Sequence, residues 1–263
     1  MREKGFTLIE LLASTAILLI LGTLLTGAGW KVYESSSLAV SANNIRQLAM
    51  GASAYLGDNN QTFWPYREAV PGKGVKWWWG LESAESLAAG EGNRTFDPNG
   101  GPLANYIPAG FRPDPSFAFT GKAYKPKYRF GYLGVAYNVL LAADNGNRNA
   151  AWSGRDALNG GAPPIPVRLG QLARPDQTVV FATSAQVNTF QAPASASNPM
   201  IEEFYGIDDR EVTVHFRHRG NAMVAYATGN VGFLPIDEST RDRRAPKAAV
   251  GRFAPVGSLR YLK

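Results

Sequence analysis

Hydrophobic and polar positions change rhythm along this chain, and each change marks an element. Residues 11–30 carry no charge and are mostly aliphatic, with Ala, Ser, Thr and Gly scattered among Leu and Ile. As a helix such a run reaches about 30 Å, the thickness of a bilayer's hydrocarbon core. Past Trp30 the pattern turns amphipathic. Leu38, Ala42, Ile45, Leu48, Ala49, Ala52, Tyr55 and Leu56 recur at three- and four-residue steps, with Asn43, Asn44, Arg46 and Gln47 on the other face. Together these stretches predict one continuous helix over residues 6–56, about 75 Å long. GDNNQ ends it, with Gly57 as the breaker.

Beyond the helix the periodicity shortens. Residues 62–175 read as loops with short elements: WPYREAVPGKG and APPIP are breakers, and NGNRNAAWSGRDALNGG is a long polar loop. KWWWGLESAESLAAG predicts a short helix, and YRFGYLGVAYNVLLA is a mixed aromatic and apolar run. In the last third, residues 178–184, 211–218, 221–227 and 230–236 are apolar and partly β-branched, as strands are. Thr228 and Gly229 fall where a tight hairpin turn joins the last two. Residues 191–199 form a flexible excursion. The expected fold class is α+β: a long N-terminal helix, transmembrane in its first half, packed on a loop-rich head with an antiparallel β-sheet.

Composition narrows the chemistry. Glycine and proline supply 28 and 17 of the 263 residues, which suits a loop-rich fold. The absence of cysteine excludes disulfides and thiolate metal sites, and two histidines leave acid–base or metal chemistry to carboxylates. The formal charge is +6, and the stretch 241–263 carries an excess of that same size. Such a tail can meet nucleic acid, anionic lipid or an acidic surface, and its plain reading is a solvated edge. Arg2 and Lys4 precede the apolar run and orient the N-terminus to the cytoplasm. An ordinary secretory signal has a shorter apolar core that ends in a small-residue cleavage site.

A plain anchor has no use for Glu10, because a carboxylate in hydrocarbon costs about 2.5–3.5 kcal/mol and needs a partner. The run KGFTLIELL, with a short basic leader, Gly5, the aromatic Phe6 and Glu10 four residues further on, resembles the processing signal of type IV pilins and type II secretion pseudopilins. The resemblance implies that a prepilin peptidase removes residues 1–5 by cutting between Gly5 and Phe6, and methylates Phe6. It implies that Glu10 faces the α-amino group of Phe6 in a neighbouring subunit as helices stack into a filament core. Opposite charges in a low-dielectric setting then offset each other. Relatives often carry a proline within the apolar segment; here Gly22, Gly27 and Gly29 are the weak points. The expected organisation is a leader (1–5), a transmembrane helix half (6–30), an amphipathic half (31–57) and a head (58–263) with a basic tail (241–263).

Two head segments resemble a large-headed pilin subfamily. AMGASAYLGDNNQTFWP matches at Tyr55, Asp58, Asn59, Phe63 and Pro65; Asp58 and Asn59 suit turn hydrogen bonds or, as the alternative, a hard cation. In that subfamily a His is followed by Asp-Gly at the spacing seen here between His218 and Thr228-Gly229, so the motif is degenerate. A second acidic position is occupied by Thr183, before Ser184, so both carboxylates are replaced.

No catalytic constellation emerges, and the chain is not expected to be an enzyme. His215 and His218 lie three apart in an expected strand and so point to opposite faces, which cannot chelate one metal. Ser184 lacks a nucleophile-elbow context. Neither metal nor cofactor is expected. The expected function is a structural subunit of a pilus-like or pseudopilus filament. Its partners would be the prepilin peptidase, other pilin-like subunits, an inner-membrane assembly platform and the inner membrane itself, without nucleic acid. The head would lie outside the cytoplasm, then in a periplasmic or cell-surface filament. The alternative is a displayed binding module for glycan or polyanion, using Trp77, Trp78 and Trp79 or the basic tail. For the tryptophans a core or subunit contact is the competing role.

Overall fold

The structure, a computed structural model, describes residues 7–107, 110, 112–117, 123–129, 133–143, 152, 165–254 and 259, without side chains at 21, 22 and 24–34. Gly5, Phe6, the leader and, apart from Trp152, the polar loop of residues 145–161 lie outside the described residues. Residues 1–39 and 40–263 form two compact units.

Helix α1 (Leu8–Asp58) is 51 residues long and runs unbroken through Gly22, Gly27 and Gly29. Among the described residues no helix is long and apolar enough to cross a membrane. In the first unit Leu8, Ile9, Leu11, Leu12, Ile17, Leu18, Leu19 and Ile20 are all exposed. No face of this stretch is polar enough to prefer water to lipid or to another helix.

From Val40 onward the helix is amphipathic, except that Asn44, expected on the polar face, is buried and donates its side-chain amide to Pro113 O (3.3 Å). Ile45, Leu48, Ala49, Ala52 and Leu56 are buried, while Asn43, Arg46 and Met50 are exposed. A Cβ on Gly51 would sit 2.7 Å from Ile107 Cγ1, so glycine here lets residue 107 close on the helix backbone. The helix passes Gly57 and stops two residues later than the sequence predicts the break. The Gln61 N–H donates to Leu56 O (2.8 Å), and Asn60 takes the left-handed conformation (φ 53°). Asn60 therefore plays the part expected of Gly57, in a Schellman-type end. Asn59 donates its side-chain amide to Tyr55 O (2.8 Å), the turn role of the two readings offered for it.

Among the described residues the head holds three sheets. A seven-stranded sheet has the order β8-β4-β5-β10-β11-β12-β9, built from β4 (Val135–Asn138), β5 (Val179–Thr183), β8 (Gly206–Ile207), β9 (Val214–His215), β10 (Asn221–Tyr226), β11 (Val231–Asp237) and β12 (Val250–Phe253). A three-stranded meander joins β1 (Arg67–Val70), β2 (Gly74–Trp77) and β3 (Gly80–Ser83), and β6 (Gln186–Asn188) pairs with β7 (Met200–Glu202). The large sheet is mixed, not purely antiparallel, because β4 and β8 run parallel. Strands β4 and β5 are buried at every residue, which is why they read as continuous apolar runs without alternation. One core cluster gathers Ala136, Val179, Ala182, Val214, Phe216, Ala222, Val224 and Phe253.

Two expectations are corrected here. The strand expected over 211–218 shrinks to β9. Asp208 Oδ1 accepts the backbone N–H groups of Arg210 (2.8 Å) and Glu211 (2.6 Å), a local turn that withholds this segment from the ladder. His218 and Asn221 exchange backbone hydrogen bonds (3.0 Å each) around Arg219 (φ 53°) and Gly220 (φ 79°), a primed two-residue hairpin. The short helix expected over residues 76–90 is mostly hairpin: only α2 (Ala84–Ala88) is helical, capped by Ser83, whose hydroxyl accepts from Ser86 N (3.2 Å). Val75 and Trp77 suit a pleated surface and fall in β2, while Trp78 and Trp79 make the turn that leads into β3.

Candidate functional site

At the N-terminus the described chain opens on Thr7, and its chemistry is local. Thr7 N–H and Thr7 Oγ1 both donate to Glu10 Oε2 (2.9 and 2.8 Å), and Glu10 N–H donates back to Thr7 Oγ1 (3.3 Å). This is a capping box: side chains three residues apart satisfy donors that the first helical turn leaves orphaned. The carboxylate also sits at the positive end of the helix dipole. Among the described residues Oε1 of Glu10 accepts nothing, so one oxygen serves the cap and the other is left over. Ser14 Oγ returns to Glu10 O (2.7 Å), and Thr15 and Thr23 hydroxyls return to the carbonyls of Leu12 (3.0 Å) and Ile20 (2.8 Å). The hydroxyls of Ser14, Thr15 and Thr23 thus spend these hydrogen bonds inside the helix. The role of Thr7 was readable from its Thr-x-x-Glu spacing to Glu10, but the resemblance drew attention to Glu10 alone.

The tryptophan trio forms no surface platform. Trp78 and Trp79 are 0% and 2% exposed, and only Trp77 reaches partial exposure. Trp77 stacks on Trp79 (4.9 Å, 14°), and Trp79 stacks on Tyr205 (4.3 Å, 20°). Trp78 donates its indole N–H to Tyr205 O (2.6 Å) and packs near Phe181 (5.4 Å). The turn between β2 and β3 drives both rings inward, where they bind the meander to the main sheet. A sugar needs an open aromatic face, and this arrangement spends two of the three on the core.

Nor does the fold gather the degenerate motif into one place. His218 precedes β10 and Thr228-Gly229 follow it, so a six-residue strand of about 20 Å separates them. Gly229 (φ 86°) completes a three-residue hairpin loop, closed by Gly229 N–H to Tyr226 O (2.9 Å) and Tyr226 N–H to Asn230 O (2.8 Å). Thr183 is buried elsewhere, donating to His215 O (2.8 Å) and accepting Met223 N–H (3.1 Å). An ionised carboxylate could not donate there, so the threonine is matched to its neighbours.

The two histidines meet a cluster that sequence reading missed. Arg217 and Asp114, both buried, form an ion pair; Arg217 also donates to Gly134 O (2.6 Å) and contacts His215 Nδ1 (3.1 Å). Asp114 Oδ1 takes Ser41 Oγ (2.5 Å) and Ser116 N–H (2.8 Å), fastening the second half of α1 to the head. Burial acts to raise the Asp114 pKa, but the Arg217 charge and these hydrogen bonds hold it below the ordinary value. Burial and Arg217 push His218 down to about 4 against the pull of Asp114, and burial pushes His215 well below its ordinary range. Both rings are therefore neutral at pH 7. The pairing of residues 114 and 217 leaves no signal in a local pattern.

The basic tail is partly built into the sheet. Strand β12 lies between β11 and β9, and Arg241 and Arg244 pair with Glu238 (2.7 Å) and Asp242 (2.6 Å). It is no simple solvated edge as far as residue 254.

Residues 1–26 match the family model of the prokaryotic N-terminal methylation motif. No curated protein and no solved structure matches the chain. The match marks a type IV pilin-like prepilin segment and indicates a pilin- or pseudopilin-type precursor that prepilin peptidase processes.

Proposed function

We propose that the mature protein is a structural subunit of a type IV pilus-like or type II secretion pseudopilus filament. The observation that carries this reading is the methylation motif over residues 1–26. In this reading the peptidase cuts between Gly5 and Phe6 and methylates Phe6, while residues 6–30 hold the precursor in the inner membrane with the head outside the cytoplasm. An assembly platform then extracts the subunit, and its helix packs with others in a periplasmic or cell-surface filament. Such stacking is heterologous and does not close, so it propagates. The apolar side chains exposed from Leu8 to Ile20 supply a surface for lipid first and for neighbouring helices afterwards. Glu10 supports the reading through its two oxygens: Oε2 keeps the cap, and Oε1, which accepts nothing among the described residues, would take a neighbour's methylated amine. The role assigned to the protein is structural rather than catalytic.

The test is an intact mass of the membrane fraction from a host that expresses the chain with a prepilin peptidase. The expected mass lacks residues 1–5 and carries one added methyl group on Phe6. An uncleaved chain would sink the filament reading and leave a plain anchored protein.

A further inference from the structure

A groove of about 450 Å³ lies between the turn after β6, residues 210–213 and residues 239–244. Phe190, Arg210, Arg241, Arg243 and Arg244 line it, with Glu211 and Asp242 as its acidic members. These charges do not cancel evenly. Arg241 is engaged by Glu238 through two bonds of 2.7 Å. Arg244 is engaged by both oxygens of the buried Asp242 (3.0 and 2.6 Å). Arg210 and Arg243 are exposed, and among the described residues their guanidinium groups have neither hydrogen bond nor ion pair.

Phe190 stands 70% exposed on the opposite wall. Its position is held from below: the fully buried Asn188 accepts the backbone N–H groups of Phe190 (3.0 Å) and Gln191 (3.1 Å) through Oδ1, and donates to Glu202 (3.0 Å). Arg244 also reaches Thr189 Oγ1 (3.3 Å), so the two walls are tied together. A ring anchored in water beside two unengaged guanidinium groups is a prepared surface.

We propose that this groove binds an acidic peptide segment of another protein, with carboxylates on Arg210 and Arg243 and an apolar side chain against Phe190. Guanidinium forks take carboxylates in bidentate fashion, and the volume suits a few residues of extended chain. A phosphate backbone fits less well. It requires a continuous positive track, and Glu211, Asp242 and the exposed Glu238 interrupt this one. The proposal does not depend on filament assembly.

The test uses the full chain in detergent micelles and a fluorescein-labelled peptide of alternating Asp and Leu, followed by fluorescence anisotropy at low salt. The expected result is saturable binding that weakens about tenfold or more in Arg210→Gln/Arg243→Gln and several-fold in Phe190→Ala. The same peptide with Asn for Asp should bind as weakly as the arginine variant does. An unchanged urea midpoint shows that the variants fold. Absence of saturable binding overturns the proposal, as does binding that the double variant leaves intact. A labelled oligothymidine that binds more tightly and is lost in the same variants would assign the groove to nucleic acid instead.

Discussion

At the scale of single residues, Glu10 carries two separable properties, a hydrogen-bond acceptor for the helix start and a negative charge. Its geometry with Thr7 lets them be taken apart. Glu10→Gln keeps a side chain able to close the capping box but removes the charge, whereas Thr7→Ala removes the cap and keeps the charge. If assembly rests on charge pairing, filaments sheared from cells should fall below detection in Glu10→Gln and persist at reduced yield in Thr7→Ala. Equal loss in both variants would place the function of Glu10 in the cap. The motif itself was legible because processing signals are read as short linear sequence. The cap was legible too, since it rests on a spacing of three residues.

At the scale of elements, local sequence succeeded where one preference dominated. The runs around β5, β10 and β11 are apolar and partly β-branched, and the strands form there with the hairpin at Thr228-Gly229 between the last two. Gly229 holds φ 86°, and a Cβ there would meet Ser53 Oγ at 3.3 Å. Gly229→Ala should therefore lower stability by about 1–2 kcal/mol, read from the urea midpoint of the full chain in detergent. Thr228→Ala should cost less, because Thr228 is exposed and its φ is negative. Reading failed where a side chain intercepted the backbone. Asp208 turns residues that look strand-like out of the sheet, and the tryptophan run becomes a hairpin.

At the scale of the molecule, buried charges tie distant segments of the head together. Glu82, fully buried, accepts Arg94 through two bonds of 2.6 Å, Trp77 Nε1 (2.9 Å) and Tyr128 (3.2 Å). The Asp114–Arg217 pair does the same between α1 and the sheet, with His215 and His218 beside it. Those histidines set a pH dependence. His218 titrates at about 4 in the folded chain against 6.5 ordinarily, so the unfolded chain binds the extra proton first as pH falls. Stability should therefore decline between pH 6.5 and 4, and His215 adds to the decline in the same direction. Asp114, whose folded value lies below 3.8, loses its contribution only at lower pH, and Glu203, raised by burial, works the other way in the lower part of the window. His218→Gln should match the parent near pH 7 within about 1 kcal/mol and show a shallower loss of urea midpoint down to pH 4. An unchanged slope would remove His218 from the account.

The sequence by itself determined what is written in contiguous residues: the processing segment, the long helix with its change from apolar to amphipathic, and the central strands. These depend on local periodicity and on a motif within residues 1–26, so no folded context is needed to read them. The tertiary structure decided which side chains share a space. It buried Trp78 and Trp79, separated His218 from Thr228 by the length of β10, and joined Asp114 to Arg217 across 103 residues of chain. Among the described residues it also left Arg210 and Arg243 unengaged in the groove that Phe190 lines. Such outcomes follow from strand order and from which carboxylate reaches which guanidinium first, and neither is encoded in any window short enough to read along the chain.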